Sequence, residues 1–352
     1  AQASDPQERR ERVFAALREL LTRLAERKPL LLLIDDLQWT DADSLALLSD
    51  LMNPPDEPPL LLVATVRSNA EVLNKTWMDP EHGRRNVHHL QVDRLGDADA
   101  LALAHTLFAQ SEVTKQLSAE HVAKEAAGHP LFIDELVRYT AATGSSAPVR
   151  LEDALWSRIQ TLPKPARLLL QLSAVMGSPL GLNVATVAST LSADELDRSL
   201  AQLRGQRLLR ATVNAHEQVV DTGGPEAVEP YHDRIREITL QRLLPDERRR
   251  CHLQLANALE QIGHQNPETL VLHCQGAGLR EKAGQYALRA AEKATGALAF
   301  ERAVKFYKQA IEFLKPAGAD RRELIEKLGD SLIHANCSFE GAEALAEAAQ
   351  GA

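Results

Sequence analysis

One hydrophobic segment constrains the fold of this chain more than any other. Leu30–Ile34 is an unbroken run of five aliphatic residues, preceded by Lys28-Pro29 and followed by Asp35-Asp36. Such a run is typical of a parallel strand that is buried on both faces of an α/β sheet. Ligands of these sheets bind beyond the carboxyl ends of the strands, which is where the two carboxylates fall. The segment therefore predicts an acidic edge that faces a ligand.

A hydrophobic strand that ends in an acidic pair matches the Walker B pattern. In that pattern an aspartate helps to hold Mg²⁺ on the phosphates of a nucleotide. The alternative is a strand that runs into a polar turn, with Asp35 or Asp41 capping the next helix. Because aliphatic runs that end in Asp are common, the neighbouring segments have to decide between the two interpretations.

The segments that follow indicate a βαβ unit. Residues 41–52 predict a short helix, and residues 60–66 form a second aliphatic strand that ends at Arg67. Two parallel strands joined through a helix make such a unit. Residues 87–92 are a third candidate strand.

Composition and charge exclude several classes of protein. The 352 residues are enough for two or three domains, and the net charge of -9 argues against nucleic-acid binding by the chain as a whole. The three cysteines show no CxxC spacing, which favours a reduced, cytoplasmic chain without structural zinc. We interpret His273-Cys274 as helix-packing residues rather than metal ligands. No apolar run is long enough to span a membrane.

The chain after the sheet is predicted to be helical. The helical pattern of residues 97–142 is interrupted at Gly128-His129-Pro130, and residues 144–148 are a linker. Three helices and a hairpin around Gly223-Gly224-Pro225 then predict a winged helix. That fold often binds DNA, but its expected recognition helix, residues 193–203, is acidic, so direct nucleic-acid binding is not expected.

The last part of the chain shows the spacing of tetratricopeptide repeats. The second helix of one repeat is indicated by the spacing of Ala303, Tyr307 and Ala310. The first helix of the following repeat is indicated by the spacing of Leu324, Leu328 and Leu332. The equivalent positions 303 and 341 are 38 residues apart, slightly more than the usual period of about 34.

Three segments together resemble the regulatory ATPases of the STAND class, signal-transduction ATPases with numerous domains: Asp35 to Asp41, Thr65-Val66-Arg67, and Gly128 to Leu136. The nearest resemblance is to bacterial regulators with an AAA-type ATPase ahead of tetratricopeptide repeats. This resemblance implies an α/β fold that consists of a partial P-loop NTPase sheet. An all-α lid, a winged helix and helical repeats would follow it, so that the chain is mostly helical overall. The implied domains are residues 1–96, 97–145, 150–245 and 246–352.

The resemblance also implies roles for individual residues. Asp35 would associate with Mg²⁺ through water, and Asp36 would orient or activate the attacking water. Arg67 would be the sensor that reads the γ-phosphate, a task suited to the donor fork of a guanidinium. Pro130 would lie against adenine, and Gly128 would let the backbone approach it.

A weaker match implies a nucleotide-binding role for one further residue, His232. Tyr231-His232-Asp233 resembles the Met-His-Asp element of related plant and animal proteins, whose histidine approaches the ADP β-phosphate; tyrosine replaces methionine here. The residues alone also allow simpler interpretations. Arg67 could be a solvated charge, Gly128-His129-Pro130 a corner between helices, and His232-Asp233 a helix cap.

One expected motif is absent from the 352 residues. They contain no G-x-x-x-x-G-K-[ST], the loop whose amides and lysine cradle the phosphates. In the family this loop lies upstream of Walker B, so we expect the chain to be a fragment that starts after it; a degenerate ATPase is the rival. The first two strands should then pair directly, and residues 87–92 should lack their proper neighbour.

These inferences predict part of an ATP-dependent switch in signal transduction or transcription regulation, with ATP/ADP and Mg²⁺ as cofactors. A protein or small molecule would bind the repeats, and self-association is allowed; no membrane is involved. ATP hydrolysis would belong to the full-length protein, the fragment itself being inactive. The alternative is a non-hydrolysing interaction scaffold with a vestigial ATPase fold.

Overall fold

The computed structural model describes residues 6–53, 55–66, 87–110, 119–143, 150–213, 226–264 and 266–350. The chain folds into two compact units. The first contains Ala1–Gln91, Asn266–Val271 and Arg280–Ala352, and the second contains Val92–Gln265 and Leu272–Leu279. The predicted domain boundaries stay a prediction.

The first unit begins with the predicted βαβ arrangement. Its elements are α1 (Pro6–Arg27), β1 (Leu30–Ile34), a 3₁₀ turn (Leu37–Trp39), α2 (Ala42–Leu51) and β2 (Leu60–Ala64). Strands β1 and β2 pair in parallel, with Leu30 opposite Leu60 and Ile34 opposite Ala64. The expected direct pairing of these two strands is therefore confirmed.

The two faces of this sheet differ in burial. On one face Leu37 and Leu45 are buried and pack against Ile34 and Ala64. On the other face the side chains at alternate positions are 40–64% exposed: Leu31, Leu33, Leu61 and Val63. The prediction that β1 is buried on both faces was wrong for this chain, because no described segment covers the second face.

The prediction of a third strand at residues 87–92 is also wrong. Residues 87–92 have no regular secondary structure, and Leu90 and Val92 are 92% and 95% exposed. An extended segment becomes a stable strand only when a neighbouring backbone satisfies its donors and acceptors. Among the described strands β1 and β2 pair only with each other, so residues 87–92 lack that neighbour.

The second unit is mainly helical, as predicted. Its helices are α3 (Asp97–Gln110), α4 (Ala119–Glu125), α5 (Pro130–Thr143), α6 (Leu151–Gln160), α7 (Lys164–Met176), α8 (Leu182–Ser189), α9 (Ala193–Gly205), α10 (Asp233–Arg242) and α11 (Pro245–Gln261). Local sequence explains several boundaries. Ser192 and Glu195 form a reciprocal capping box at the start of α9, and Gly177, in a left-handed conformation, ends α7.

A small antiparallel sheet accompanies these helices. It consists of β3 (Leu180–Gly181), β4 (Leu209–Val213) and β5 (Glu226–Pro230), in the order β3-β5-β4. The predicted hairpin is present as β4 and β5, although its turn lies outside the described residues. The short strand β3 was not predicted. The winged-helix assignment stays an interpretation of this arrangement.

Packed helices make up the last part of the chain. They are α12 (Pro267–Gly276), α13 (Arg280–Gly296), α14 (Phe300–Leu314), α15 (Gly318–His334) and α16 (Ser338–Gln350). The predicted repeat positions Ala303, Tyr307 and Ala310 are buried in one cluster with alanines of α13. Helices α15 and α16 approach closely, since a Cβ on Gly329 would come within 2.8 Å of Leu345 Cγ. No described helix is both long and apolar enough to cross a membrane.

Two phenylalanines of this region allow a matched test of the packing. Phe300 is 1% exposed and its ring lies 4.9 Å from that of His334, whereas Phe339 is 78% exposed. Phe300→Ala should lower the free energy of unfolding by about 3–5 kcal/mol, because it removes a buried ring and leaves a cavity. Phe339→Ala should change it by less than about 0.5 kcal/mol. Urea unfolding followed by circular dichroism measures both, and equal losses would contradict the assigned core.

Candidate functional site

The predicted acidic edge of β1 is held together by Thr65, the residue that follows β2. Thr65 Oγ1 donates a hydrogen bond to Asp35 Oδ1 and accepts one from the Asp36 amide at 2.8 Å. The backbone continues the contact, since Leu37 N donates to Thr65 O at 2.9 Å. One hydroxyl therefore joins the two carboxylate-bearing residues at the carboxyl ends of both parallel strands.

Asp36 adopts a backbone conformation that is uncommon for a residue with a side chain. Its φ and ψ are 56° and 46°, in the left-handed region, which Asp tolerates better than most residues. Gln38 Nε2 donates to Asp36 Oδ1 at 2.7 Å, which orients the carboxylate. Strained residues that are fixed by several contacts are frequent at functional sites.

The oxygen-rich edge suits a hard cation. Mg²⁺ prefers oxygen ligands and usually keeps several waters beside one or two carboxylates and substrate phosphates. Asp35 and Asp36 are exposed at the strand end and provide such oxygens. The described residues contain no group of three or more His, Cys, Asp or Glu side chains arranged to hold a metal. The predicted sensor, Arg67, lies outside the described residues.

In the second unit the predicted corner is a tight turn that requires glycine. Gly128 has a φ of 75°, and a Cβ there would lie 2.3 Å from the carbonyl oxygen of Leu95. The Leu95 amide donates to Gly128 O at 2.8 Å, so the two backbones are in direct contact. Pro130 is the first residue of α5. The interpretation as a helix corner is thus correct, and it coexists with any role in binding.

The structure brings the corner and His232 together. The rings of His129 and His232 are perpendicular, with centroids 6.1 Å apart, and His129 stacks on Phe132 at 3.9 Å. Burial lowers the pKa of His129, and the electrostatic influence of the neighbouring His232 and Arg94 acts in the same direction. Three of the predicted cofactor-binding residues, Gly128, Pro130 and His232, therefore belong to one neighbourhood. His129 was not predicted as part of it, although it lies between two predicted residues.

His232 is also a helix cap, as the simpler interpretation proposed. Its Nδ1 accepts a hydrogen bond from the Arg234 amide at 3.0 Å at the start of α10. Because Nδ1 is an acceptor, the neutral ring carries its proton on Nε2. The cap thus selects the tautomer that can donate from Nε2.

Ion pairs hold α5 and α10 against the same helix, α6. Arg158 of α6 pairs with Glu135 of α5, and Glu152 of α6 pairs with Arg234 of α10. Burial raises the pKa of Glu135, and Arg158 opposes that effect. Replacing one partner of such a buried pair leaves an uncompensated charge. The positions of the corner and of His232 are therefore both fixed through α6.

The pair His273-Cys274 does not form part of a metal site among the described residues. Instead, His273 and His252 are buried between α11 and α12, with their Nδ1 atoms 3.0 Å apart. Burial lowers the pKa of His252 to about 4 and that of His273 to about 3. The Cys251 thiol is also buried, which raises its pKa to about 11 and makes it a poor nucleophile. The predicted packing role agrees with this environment.

Comparison with known proteins agrees with the predicted resemblance. Residues 1–63, which include the acidic edge, match the family model of the AAA ATPase domain. An uncharacterized protein of Rhizobium meliloti is 25% identical over 340 residues, covering 88% of this chain and 30% of the relative.

A similar solved structure is that of a STAND protein with a tetratricopeptide repeat sensor from Pyrococcus horikoshii. It has a TM-score of 0.50 and 15% identity, and the match covers 95% of this chain and 51% of that one. The resemblance to STAND proteins is confirmed at the level of the fold, as is the α/β and mostly helical class. The chain spans about half the length of this neighbour.

Gly128→Ala should destabilise the corner. A left-handed conformation costs a residue with a side chain roughly 1–2 kcal/mol, and the clash with Leu95 O adds to that cost. Gly205→Ala is the control, because an added Cβ meets no atom within 4 Å and alanine favours a helix. Urea unfolding should show a loss for Gly128→Ala only. Wild-type stability of Gly128→Ala would mean that the corner does not need glycine.

The histidine pair predicts a pH dependence of stability. The folded pKa values lie below the unfolded value of about 6.5, so the unfolded chain binds protons first as the pH falls. The free energy of unfolding should therefore decrease from pH 6.5 to 5. His273→Leu removes one titrating group and should flatten this slope, whereas exposed His105→Gln should not. Identical slopes in wild type and His273→Leu would contradict the burial argument.

Proposed function

We propose that this chain contains the Walker B part of a nucleotide-dependent switch of the STAND type. The observation that carries the proposal is the joining of Asp35 and Asp36 by Thr65 at the carboxyl edge of two parallel strands. The AAA ATPase match over residues 1–63, which include Asp35 and Asp36, supports a nucleotide as the ligand. The fold shared with a STAND protein supports a regulatory role for the ATPase.

In the proposed mechanism Asp35 would help to hold Mg²⁺ through water, and Thr65 fixes the orientation of the Asp35 carboxylate. Asp36 orients the attacking water, and its contact with Gln38 sets the direction of the carboxylate. Bound Mg²⁺ would neutralise the charge on the phosphates. Arg67 is proposed to read the γ-phosphate.

In the second unit, the corner Gly128-His129-Pro130 and the adjacent His232 are proposed to bind a nucleotide. Pro130 would lie against adenine, Gly128 would permit the close approach of the backbone, and His232 would donate from Nε2 to the β-phosphate. The neutral state of His129, which its lowered pKa favours, keeps an apolar ring surface beside the corner. A protein or small molecule on helices α12 to α16 would bias the switch.

The 352 residues contain no phosphate-binding G-x-x-x-x-G-K-[ST] motif, so the proposal assigns them the acidic edge and no phosphate-binding loop. That absence is also what favours the second candidate, an interaction scaffold with a vestigial ATPase fold. The two functions differ in whether nucleotide binding depends on the acidic edge.

Substitutions at the acidic edge test the proposal in the full-length protein. Asp35→Asn should weaken Mg²⁺-dependent nucleotide binding, because it removes the charge nearest the metal. Asp36→Asn should reduce hydrolysis by about 10²-fold or more and change binding little, because it removes the group that orients water. Asp56→Asn in an exposed loop is the control. Titration calorimetry and phosphate release measure the two effects, and wild-type turnover of Asp36→Asn would refute its assignment.

A further inference from the structure

A second set of carboxylates lies just beyond the acidic edge and contacts the repeat helices of the same unit. Asp41 caps α2 by accepting a hydrogen bond from Ser44 N at 2.9 Å. Asp41 Oδ2 also lies 3.5 Å from Nη1 of Arg302, a residue in the first turn of α14. Arg302 Nη2 in turn pairs with Glu268 of α12. One arginine therefore joins the start of α2 to two repeat helices.

Asp43 makes a more unusual contact with the same helix. Its Oδ2 accepts a hydrogen bond from the Arg302 amide at 3.3 Å, and the nearby Glu301 amide helps to lower the pKa of the Asp43 carboxyl, which burial raises. These are the second and third residues of α14, the positions whose amides a capping side chain normally satisfies. The residue at the N-cap position of α14 itself is Ala299, which offers no side-chain acceptor. Asp43, which is distant in sequence, thus supplies the cap that Ala299 cannot provide.

The environment of Asp43 shows that this contact is built into the packing. Its side chain is only 10% exposed, and Arg10 of α1 approaches Asp43 Oδ1 at 3.3 Å. The positive end of the α14 dipole also favours a carboxylate at this position. A buried carboxylate needs such partners, because burial alone would disfavour its charge. Three helices, α1, α2 and α14, therefore meet at one side chain.

Only a short ordered turn separates this contact from the acidic edge. Asp36 is followed by the 3₁₀ turn Leu37–Trp39, in which Leu37 is 1% exposed, and Thr40 N donates back to Leu37 O at 3.1 Å. Asp41 comes next. If α14 moves and displaces Asp41 or Asp43, the few residues of this turn can absorb little of the movement. The displacement should therefore reach Asp36.

We propose that Asp43 and Arg302 form a latch through which the repeat helices position the acidic edge. Asp43 caps α14, and Arg302 of α14 binds Asp41, so that each element fixes the other. Both are positioning residues, since they act on Asp35 and Asp36 through the intervening turn. The effect on nucleotide chemistry rests on the function proposed above, whereas the mechanical coupling does not.

Hydrogen exchange measured by mass spectrometry on the 352-residue chain tests the coupling directly. Arg302→Ala should accelerate exchange in residues 36–45 by about 3- to 30-fold, the range expected from the loss of a cap or charged contact. An effect confined to α14 would mean that Arg302 only stabilises its own helix, and it would overturn the proposal. Lys308→Ala is the control, because it removes an exposed cation that pairs with Glu340 elsewhere on α14. Equal acceleration at residues 36–45 in the control would also overturn it.

Two variants of Asp43 distinguish the latch from a general loss of stability. Asp43→Ala should accelerate exchange in the first turn of α14, and Asp43→Asn should partly restore protection because it keeps an oxygen acceptor. Equal effects of both variants would contradict the capping role.

A second experiment uses the full-length protein and separates the two proposals. Arg302→Ala should change turnover of Mg·ATP at saturating nucleotide, whereas Lys308→Ala should not. Absence of turnover in the wild type would refute the proposed function and leave the exchange result to decide on the latch. Wild-type turnover in Arg302→Ala, with the exchange effect present, would overturn the positioning role at the acidic edge.

Discussion

The parallel pairing of β1 with β2 determines the geometry of the whole acidic edge. Each residue of β1 lies opposite the residue thirty positions later, from Leu30 and Leu60 to Ile34 and Ala64. The next pair in this register is Asp35 and Thr65, so their hydrogen bond follows from the pairing. The same strand end places the Asp36 amide on the threonine hydroxyl and Leu37 N on the threonine carbonyl. A slip of one residue would reverse the faces of the strand and separate these groups.

The sequence was most informative where local physics and packing agree. The aliphatic runs, the helix caps and the alanine spacing of α14 correspond to elements of the structure because burial and capping act over a few residues. Residues 87–92 form no strand because a strand depends on a neighbouring backbone, and the neighbour that the sequence indicated would be missing is not among the described strands. Thr65 was missed as a site residue because its role appears only when register brings it beside Asp35. The outer face of β1 was predicted to be buried because the run of residues is aliphatic throughout. Burial of that face, however, requires another segment to cover it.

Four of the histidines show how one residue type serves different roles. His252 and His273 are buried against each other and stay neutral, so they contribute packing. His129 and His232 lie at a turn and a helix start, where polar ring atoms meet backbone amides and neighbouring rings. A structural role for His232 does not compete with a proposed binding role, because the cap fixes the tautomer on which binding would depend. Sequence alone could name both roles but could not show that they are compatible.

The distribution of charge between residues 35 and 43 supports a cation-binding edge. Four aspartates lie within nine residues, and their partners divide them into two kinds. Asp41 and Asp43 are compensated by Arg302 and Arg10. Within the described part of the chain, Asp35 and Asp36 contact only neutral donors, Thr65 and Gln38. Neutral donors orient a carboxylate without cancelling its charge, so the first pair keeps the negative potential that a metal ion requires, whereas the second pair uses its charge to fix the helices.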